Sequence, residues 1–307
     1  MQINFNIQPR FVSGEHLDRR RYDQCVENCS NGLVYAWSWF LDIMAGDWDA
    51  FVWGNYEYVM PVPSRRKWGI RYVYQPVFAQ QLGIYPTPPP EIQKIFLKRL
   101  KRKFRYIHYP VSDGLKEDVM KGFVIKPLHT RILSLEEGYP AVVREYDDYI
   151  LQNLRKARMN LIKIDRQGDI DEFFDIKEDA KKIPVPEKSW KNLRKLMKTT
   201  IRDGNGWLYT ASGPDNEPLA AAFFLVWRSR AYYMTVVLSE EGREKRAGFA
   251  ILDQFIRDFA GQPLVFDFEG SSVPGVDKFF ESFGASKEPY KLISRNRLPW
   301  FIALFKK

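Results

Sequence analysis

Apolar residues recur along this chain at two spacings, about 3.6 and 2 residues, and each predicts its own kind of element. Ile92, Ile95, Phe96, Leu100 and Phe104 predict one helical face over residues 91–105, and the opposite face is almost wholly Lys and Arg. Tyr146, Tyr149, Ile150, Leu154, Ala157 and Leu161 form a second stripe over residues 144–161, opposite Gln152, Arg155, Lys156 and Asn160. Shorter periodic stretches predict helices at residues 16–30, 38–46, 171–180, 189–202 and 247–260. Another carries Val276, Phe279, Phe280 and Phe283 and stops at Gly284.

Between these lie β-rich runs. Residues 48–53 and 56–63 are joined by Gly54 and Asn55, which predicts a hairpin. A strand at 69–75 follows a basic turn of Arg65, Arg66 and Lys67, and short strands fall at 106–109 and 130–135. Residues 207–212, 219–227 and 231–238 predict an antiparallel meander, and 264–268 a buried strand. The first half thus reads helix, helix, hairpin, strand, helix, strand. The second reads helices, meander, helix, strand, helix, strand. This is an α/β (α+β) chain of mixed sheets flanked by helices, with domains at 1–140 and 141–307.

Composition narrows the class. Of 307 residues, 45% are hydrophobic and 15% aromatic, which excludes a disordered chain. The start, MQINFNIQPR, lacks the basic and apolar stretches of an export signal. The longest apolar run, residues 219–227, is too short to cross a bilayer, so a soluble cytoplasmic protein is expected. The net charge is +9, clustered at residues 19–21, 65–67, 98–105 and 155–163, which favours anionic partners. Cys25 and Cys29 have no histidine nearby, and His16, His108 and His129 are scattered, so no metal is expected. No G-x-S-x-G elbow, Walker loop or H-E-x-x-H occurs, which sets aside hydrolase, kinase and metalloprotease chemistry.

Residues 264–290, LVFDFEGSSVPGVDKFFESFGASKEPY, carry the most informative arrangement. An apolar strand ends in Asp267, Glu269, Gly270, Ser271 and Ser272; a helix, a Phe-Gly-Ala stop and a final strand follow. Asp267 and Glu269 alternate along the strand and share one face. This order resembles the last third of the acyl-CoA N-acyltransferase (GNAT) fold. In detail it is similar to the Fem group, which forms amide bonds on peptidoglycan precursors. Residues 35–85 resemble the Fem-like N-terminal domain, with Trp39, Pro76 and Gly83 in its motif positions. Asn153, Leu154, Arg155, Lys156 and Ala157 look like the R-x-x-[RK]-K-A signature that opens its second domain. The GNAT motif [QR]-x-x-G-x-[GA] falls on Lys245, Arg246, Ala247, Gly248, Phe249 and Ala250, with Lys245 departing from Arg or Gln. The physical role of that motif is anion binding, since small residues let backbone N–H groups at a helix start reach a pyrophosphate.

The resemblance implies a tandem GNAT-like fold and an N-acyltransferase. The donor would be acyl-CoA or aminoacyl-tRNA. The acceptor would be an amine of an amino acid, peptide or cell-wall precursor. Residues 171–202 are too short for the long helical hairpin of Fem transferases, which argues against a tRNA-dependent peptidoglycan enzyme. The resemblance further implies Glu269 as base or amine-binding group beside Asp267, and Tyr290 as proton donor to the leaving thiolate. Residues 245–250 would hold the donor, and Arg155, Lys156 and Ser271 the substrate. Two readings stay open beside it. Residues 269–272 also suit a helix cap. The basic helix faces also suit a non-catalytic RNA- or ligand-binding protein on a degenerate GNAT scaffold.

Overall fold

The structure is a computed structural model that describes residues 8–180, 185–270 and 274–299. In chain order the elements are β1 (Arg10–Val12), α1 (Arg19–Glu27), α2 (Ser38–Met44), β2 (Trp48–Trp53), β3 (Tyr58–Lys67), β4 (Ile70–Val73), α3 (Pro90–Lys103) and β5 (Tyr106–Ser112). Then come β6 (Val124–Ser134), α4 (Tyr139–Arg144), α5 (Asp148–Met159), β7 (Lys163–Asp165), α6 (Ile170–Asp179), α7 (Glu187–Arg202), β8 (Gly206–Ser212) and β9 (Pro218–Trp227). The chain ends with β10 (Arg230–Leu238), α8 (Glu240–Glu244), α9 (Ala247–Phe259), β11 (Val265–Asp267), α10 (Pro274–Glu281) and β12 (Ser286–Asn296).

Two compact units emerge: residues 1–128 with 289–307, and residues 129–288. The C-terminal segment belongs to the first unit because Tyr290 to Asn296 of β12 pair antiparallel with Ser112 to Tyr106 of β5.

In the first unit the strand order is β1-β2-β3-β4-β5. β2 is buried at every position, so it carries no polar alternation beyond Asp49. Tyr22, Tyr35, Phe40, Phe96 and Tyr109 fill the core. Two of the hydroxyls find backbone partners: Tyr22 donates to Ala36 O at 2.7 Å, and Tyr109 to Pro61 O at 2.6 Å. Three local expectations change here. Four residues, not two, join β2 to β3, because the Glu57 carboxylate caps Asn55 N–H and Tyr56 takes φ 73°. Arg65, Arg66 and Lys67 are strand residues of β3. The turn is Trp68–Gly69, with φ of 51° and 75°, the geometry a two-residue hairpin favours. Cys25 and Cys29 are half-buried free thiols, and burial pushes the Cys25 thiol up to about 12, far from thiolate reactivity.

The second unit has the order β11-β10-β9-β8-β7, with Ser134 to Ile132 of β6 antiparallel to Val265 to Asp267 of β11. The helix expected over residues 144–161 is α5, shorter at both ends, with the separate short helix α4 ending at Arg144 before it. Asp147 accepts from Ile150 N–H and restarts the chain as α5. Tyr149 and Leu161, assigned to the buried stripe, are exposed at 53% and 64%, Leu161 lying beyond the helix end with φ 55°. α9 packs its Ile251, Phe255, Ile256 and Phe259 over the sheet, where Phe255 stacks on Phe224 at 3.9 Å between ring centroids.

Candidate active site

The site grows from a strand that loses its neighbour. β10 pairs antiparallel with β9 from Arg230 to Leu238. It pairs in parallel with β11 only at Arg230, Ala231 and Tyr232. Beyond Tyr232 the two parallel strands part. Among the described residues, the edge of β10 from Tyr233 to Leu238 then has no strand partner on the β11 side. A bulge at Met234 shifts the register between Tyr233 and Thr235 at the point of parting.

A cleft of about 280 Å³ lies beside this stretch of β10, and neither β11 nor Glu269 is among the residues that line it. Tyr233, Val236 and Leu238 of β10 form one wall. Val276, Phe279 and Phe280 of α10 form the other, and Phe249 and Leu252 of α9 close it. The charged groups of the lining, Arg243 and Arg246, sit together at its mouth. Burial raises the Tyr233 phenol well above its ordinary value, so it stays protonated and keeps a hydrogen to donate.

The mouth is shaped by backbone. Lys245 ends α8 in the right-handed conformation, and Arg246 begins α9 in the left-handed one, at φ 65° and ψ 29°. Lys245 and Arg246 N–H donate to Glu241 O and Arg243 O, and Phe249 N–H to Arg246 O. That leaves Ala247 and Gly248 N–H, at the start of α9, as the groups that suit an anion. Arg246 Nε is buried without a hydrogen-bond partner, although Nη1 donates to Arg243 O at 3.2 Å. Gly248 is needed for closeness: a Cβ there would lie 3.1 Å from Leu238 Cδ2. These features fit a phosphate-bearing donor.

The expected donor-binding residues divide. Arg246, Gly248 and Phe249 line the cleft. Ala247 is fully buried behind them, and Ala250 is half-buried. Lys245 turns away: its Nζ is 2.8 Å from Glu217 and 2.7 Å from Glu241, and these carboxylates raise its pKa. Arg155 and Lys156 stand exposed on α5 and do not line the cleft. Ser271 lies outside the described residues, as does Ser272.

The two carboxylates of the acidic turn have different surroundings. Asp267 is fully buried. Its Oδ2 accepts from Arg230 Nη2 at 2.7 Å and Nε at 3.1 Å, and its Oδ1 accepts from Thr130 Oγ1. Glu288 completes the cluster, 2.6 Å from Arg230 Nη2. Burial alone would lower the pKa of Arg230, but Asp267 and Glu288 overcome it and hold the guanidinium firmly charged. With both oxygens engaged, Asp267 is an anchor. What it anchors includes Glu269: Glu269 N–H donates to Asp267 Oδ1 at 2.9 Å, closing a tight turn. In that turn Glu269 adopts φ 52° and Gly270 φ 59°. Glu269 is 8% exposed, a buried carboxylate in a backbone region that side chains avoid. Tyr290 belongs to the first unit, on β12 opposite Ser112, 6% exposed.

Sequence reasoning missed Tyr233, Arg243 and the α10 wall. Arg243 had a visible signal, since it precedes Arg246 by one helical turn. Tyr233 had none, because only the packing of α9 and α10 against β10 turns a core-strand tyrosine into a cleft residue.

Residues 150–292 match the family described as "Acetyltransferase (GNAT) domain". Over 92% of this chain and 96% of the other, the structure is similar to FemX, at TM-score 0.63 and 11% identity. It is also similar to the C-terminal domain (DUF2156) of a candidate lysylphosphatidylglycerol synthetase from Agrobacterium fabrum, at TM-score 0.56 and 12% identity over 94% of each chain. L-PGS from Bacillus licheniformis matches at TM-score 0.54 and 9% identity, over 94% of this chain and 95% of that one. No curated protein matches the sequence.

Proposed function

For a chain with this GNAT superfamily fold, related to that of Fem-like transferases, we propose acyl transfer from a phosphate-bearing acyl thioester, acyl-CoA, to an amine. The observation that carries the reading is the cleft lined by β10, α9 and α10, apolar along its walls, with Arg243 and Arg246 in its lining. The donor supplies an activated carbonyl; the rest falls to the chain's own residues. Arg243, Arg246 and the start of α9 hold the phosphates. The unpaired edge of β10 offers N–H and C=O groups to the amides of an extended arm, as a missing strand would. Phe249, Phe279 and Phe280 exclude water, which otherwise competes with the amine for the acyl group.

The amine must be neutral to attack, so a proton has to leave it. Glu269 is the proposed acceptor of that proton. As nitrogen bonds to the carbonyl carbon, the carbon–sulfur bond breaks, and the thiolate leaves to be protonated. Asp267 is a positioning residue: it sets the Glu269 turn and takes no proton.

A second reading is supported by the cation-rich outward face of α3, which suits an RNA-borne acyl donor such as aminoacyl-tRNA. Among the described residues no helix is long and apolar enough to cross a membrane, and no side-chain cluster suits a metal.

The test is amine acylation by wild type and Glu269→Gln with an acyl-CoA. The proposal expects acylation by wild type and loss of turnover, not of donor binding, in the variant. An unchanged rate in Glu269→Gln excludes it as the base; a wild type that turns over aminoacyl-tRNA and no acyl-CoA favours the second reading.

A further inference from the structure

A second concavity lies in the first unit, on residues the proposed chemistry does not use. It is a groove of about 530 Å³ between β1 and the last turns of α3. Phe11 and Phe51 form its apolar floor, packed edge to face at 5.1 Å between centroids. Arg10, Arg99, Arg102 and Lys103 surround it.

The charge of this groove is uncompensated. Among the described residues, none of the four cations is within ion-pair distance of a carboxylate. Arg10 donates to a backbone carbonyl, Gly54 O, at 3.2 Å. Lys103 lies over the Phe11 ring at 3.9 Å. Arg99 Nε is buried with no hydrogen-bond partner. Residues 1–7 and 300–307 contain no Asp or Glu, so neither stretch carries a side-chain carboxylate to answer these charges. More cations crowd the same helix end. Arg295 Nη1 donates to Lys101 O at 2.7 Å. Burial and the neighbouring Arg295 and Arg297 lower the pKa of Lys101, and burial and Arg297 lower that of Arg295.

The negative end of the α3 dipole accounts for one or two of these charges, since its reach is about one turn. It does not account for Arg10 on β1, or for a buried guanidinium nitrogen left without an acceptor. Like charges held this close repel unless an anion joins them. The concavity is short, bounded by a three-residue strand and two helical turns, so its shape suits a compact ligand better than a polymer.

We propose that this groove binds a small polyphosphate anion, with Arg99 and Arg102 donating charge-assisted hydrogen bonds to its oxygens and Lys103 and Arg10 adding charge. The site shares no residue with the cleft lined by β10, α9 and α10 and does not depend on the acyltransferase reading.

Inorganic tripolyphosphate is the probe, titrated calorimetrically into the full chain, with monophosphate and a twelve-nucleotide RNA in parallel. Saturable binding of tripolyphosphate at one site is expected, far tighter than monophosphate and weakened by salt. Arg102→Glu and Lys103→Gln, both at exposed positions, should each weaken it about tenfold or more, in line with loss of a bond to a charged group. Arg99→Gln should do the same, and the two exposed variants keep the test valid where Arg99→Gln fails to fold. Binding that persists in the groove variants and vanishes in Arg246→Gln would move the ligand to the cleft and overturn the proposal. Binding of RNA alone, with tripolyphosphate inert, would also overturn it in favour of a polymer, as would no binding at all.

Discussion

Glu269 concentrates the argument at the scale of single residues. Its left-handed backbone, at φ 52°, costs about 1–2 kcal/mol relative to a residue without Cβ. Glu269→Gly should therefore melt no lower than wild type while losing amine acylation. Glu269→Gln should lower kcat by about 10²–10⁴, the usual share of a general base, with donor KM unchanged. Parallel melting and steady-state kinetics check both. Asp267 was readable as a partner of Glu269 from their alternation. That it anchors the turn was not, because Arg230 and Thr130 lie far away in sequence. Arg230→Met leaves the Asp267 charge buried and unanswered, which should cost about 3–5 kcal/mol by denaturant titration. Asp267→Asn retains the shape of the turn and should lower kcat through Glu269 while donor affinity holds; an altered pH–rate profile, not melting, is the readout that separates positioning from plain support.

At the scale of elements, α10 is one wall of the cleft and β6 holds it. Asp277 accepts from Arg131 Nε at 2.7 Å and from His129 Nε2 at 2.8 Å, while Arg131 Nη2 reaches Glu281 at 2.9 Å. Arg131, foremost, then His129, hold the Asp277 carboxyl well below the ordinary carboxylate range, against the opposing effect of burial. A group depressed in the folded state gives its full stability above the unfolded pKa of about 3.9 and loses it as pH falls further. Wild type should thus lose stability faster than Asp277→Asn below about pH 4, measured by urea titration across pH. Helix and strand positions were legible because their apolar periods are strong: α3, α7, α9 and the meander fall where the pattern predicts. The true start of α5 was hidden, since Asp147 caps it without a Gly or Pro to mark the place. The hairpin turn at Trp68–Gly69 was masked by the louder basic triplet before it.

For the whole molecule, the order of elements in the second unit was legible and the GNAT fold followed from it. The return of the last strand to the first unit was not, because strand pairing across 178 residues leaves no local trace. The cleft was half legible: Arg246, Gly248 and Phe249 of the motif line it, while Tyr233, Val236 and Leu238 reach it only through the packing of β10 against α9 and α10. The central claim is that this cleft takes the acyl donor. Calorimetric titration of acetyl-CoA into wild type and Gly248→Val tests it most directly. A valine there meets Leu238 and crowds the approach to the α9 start. The account predicts saturable binding to wild type and its loss in a Gly248→Val protein that still melts cooperatively. No binding to folded wild type, or equal binding to both, would contradict it.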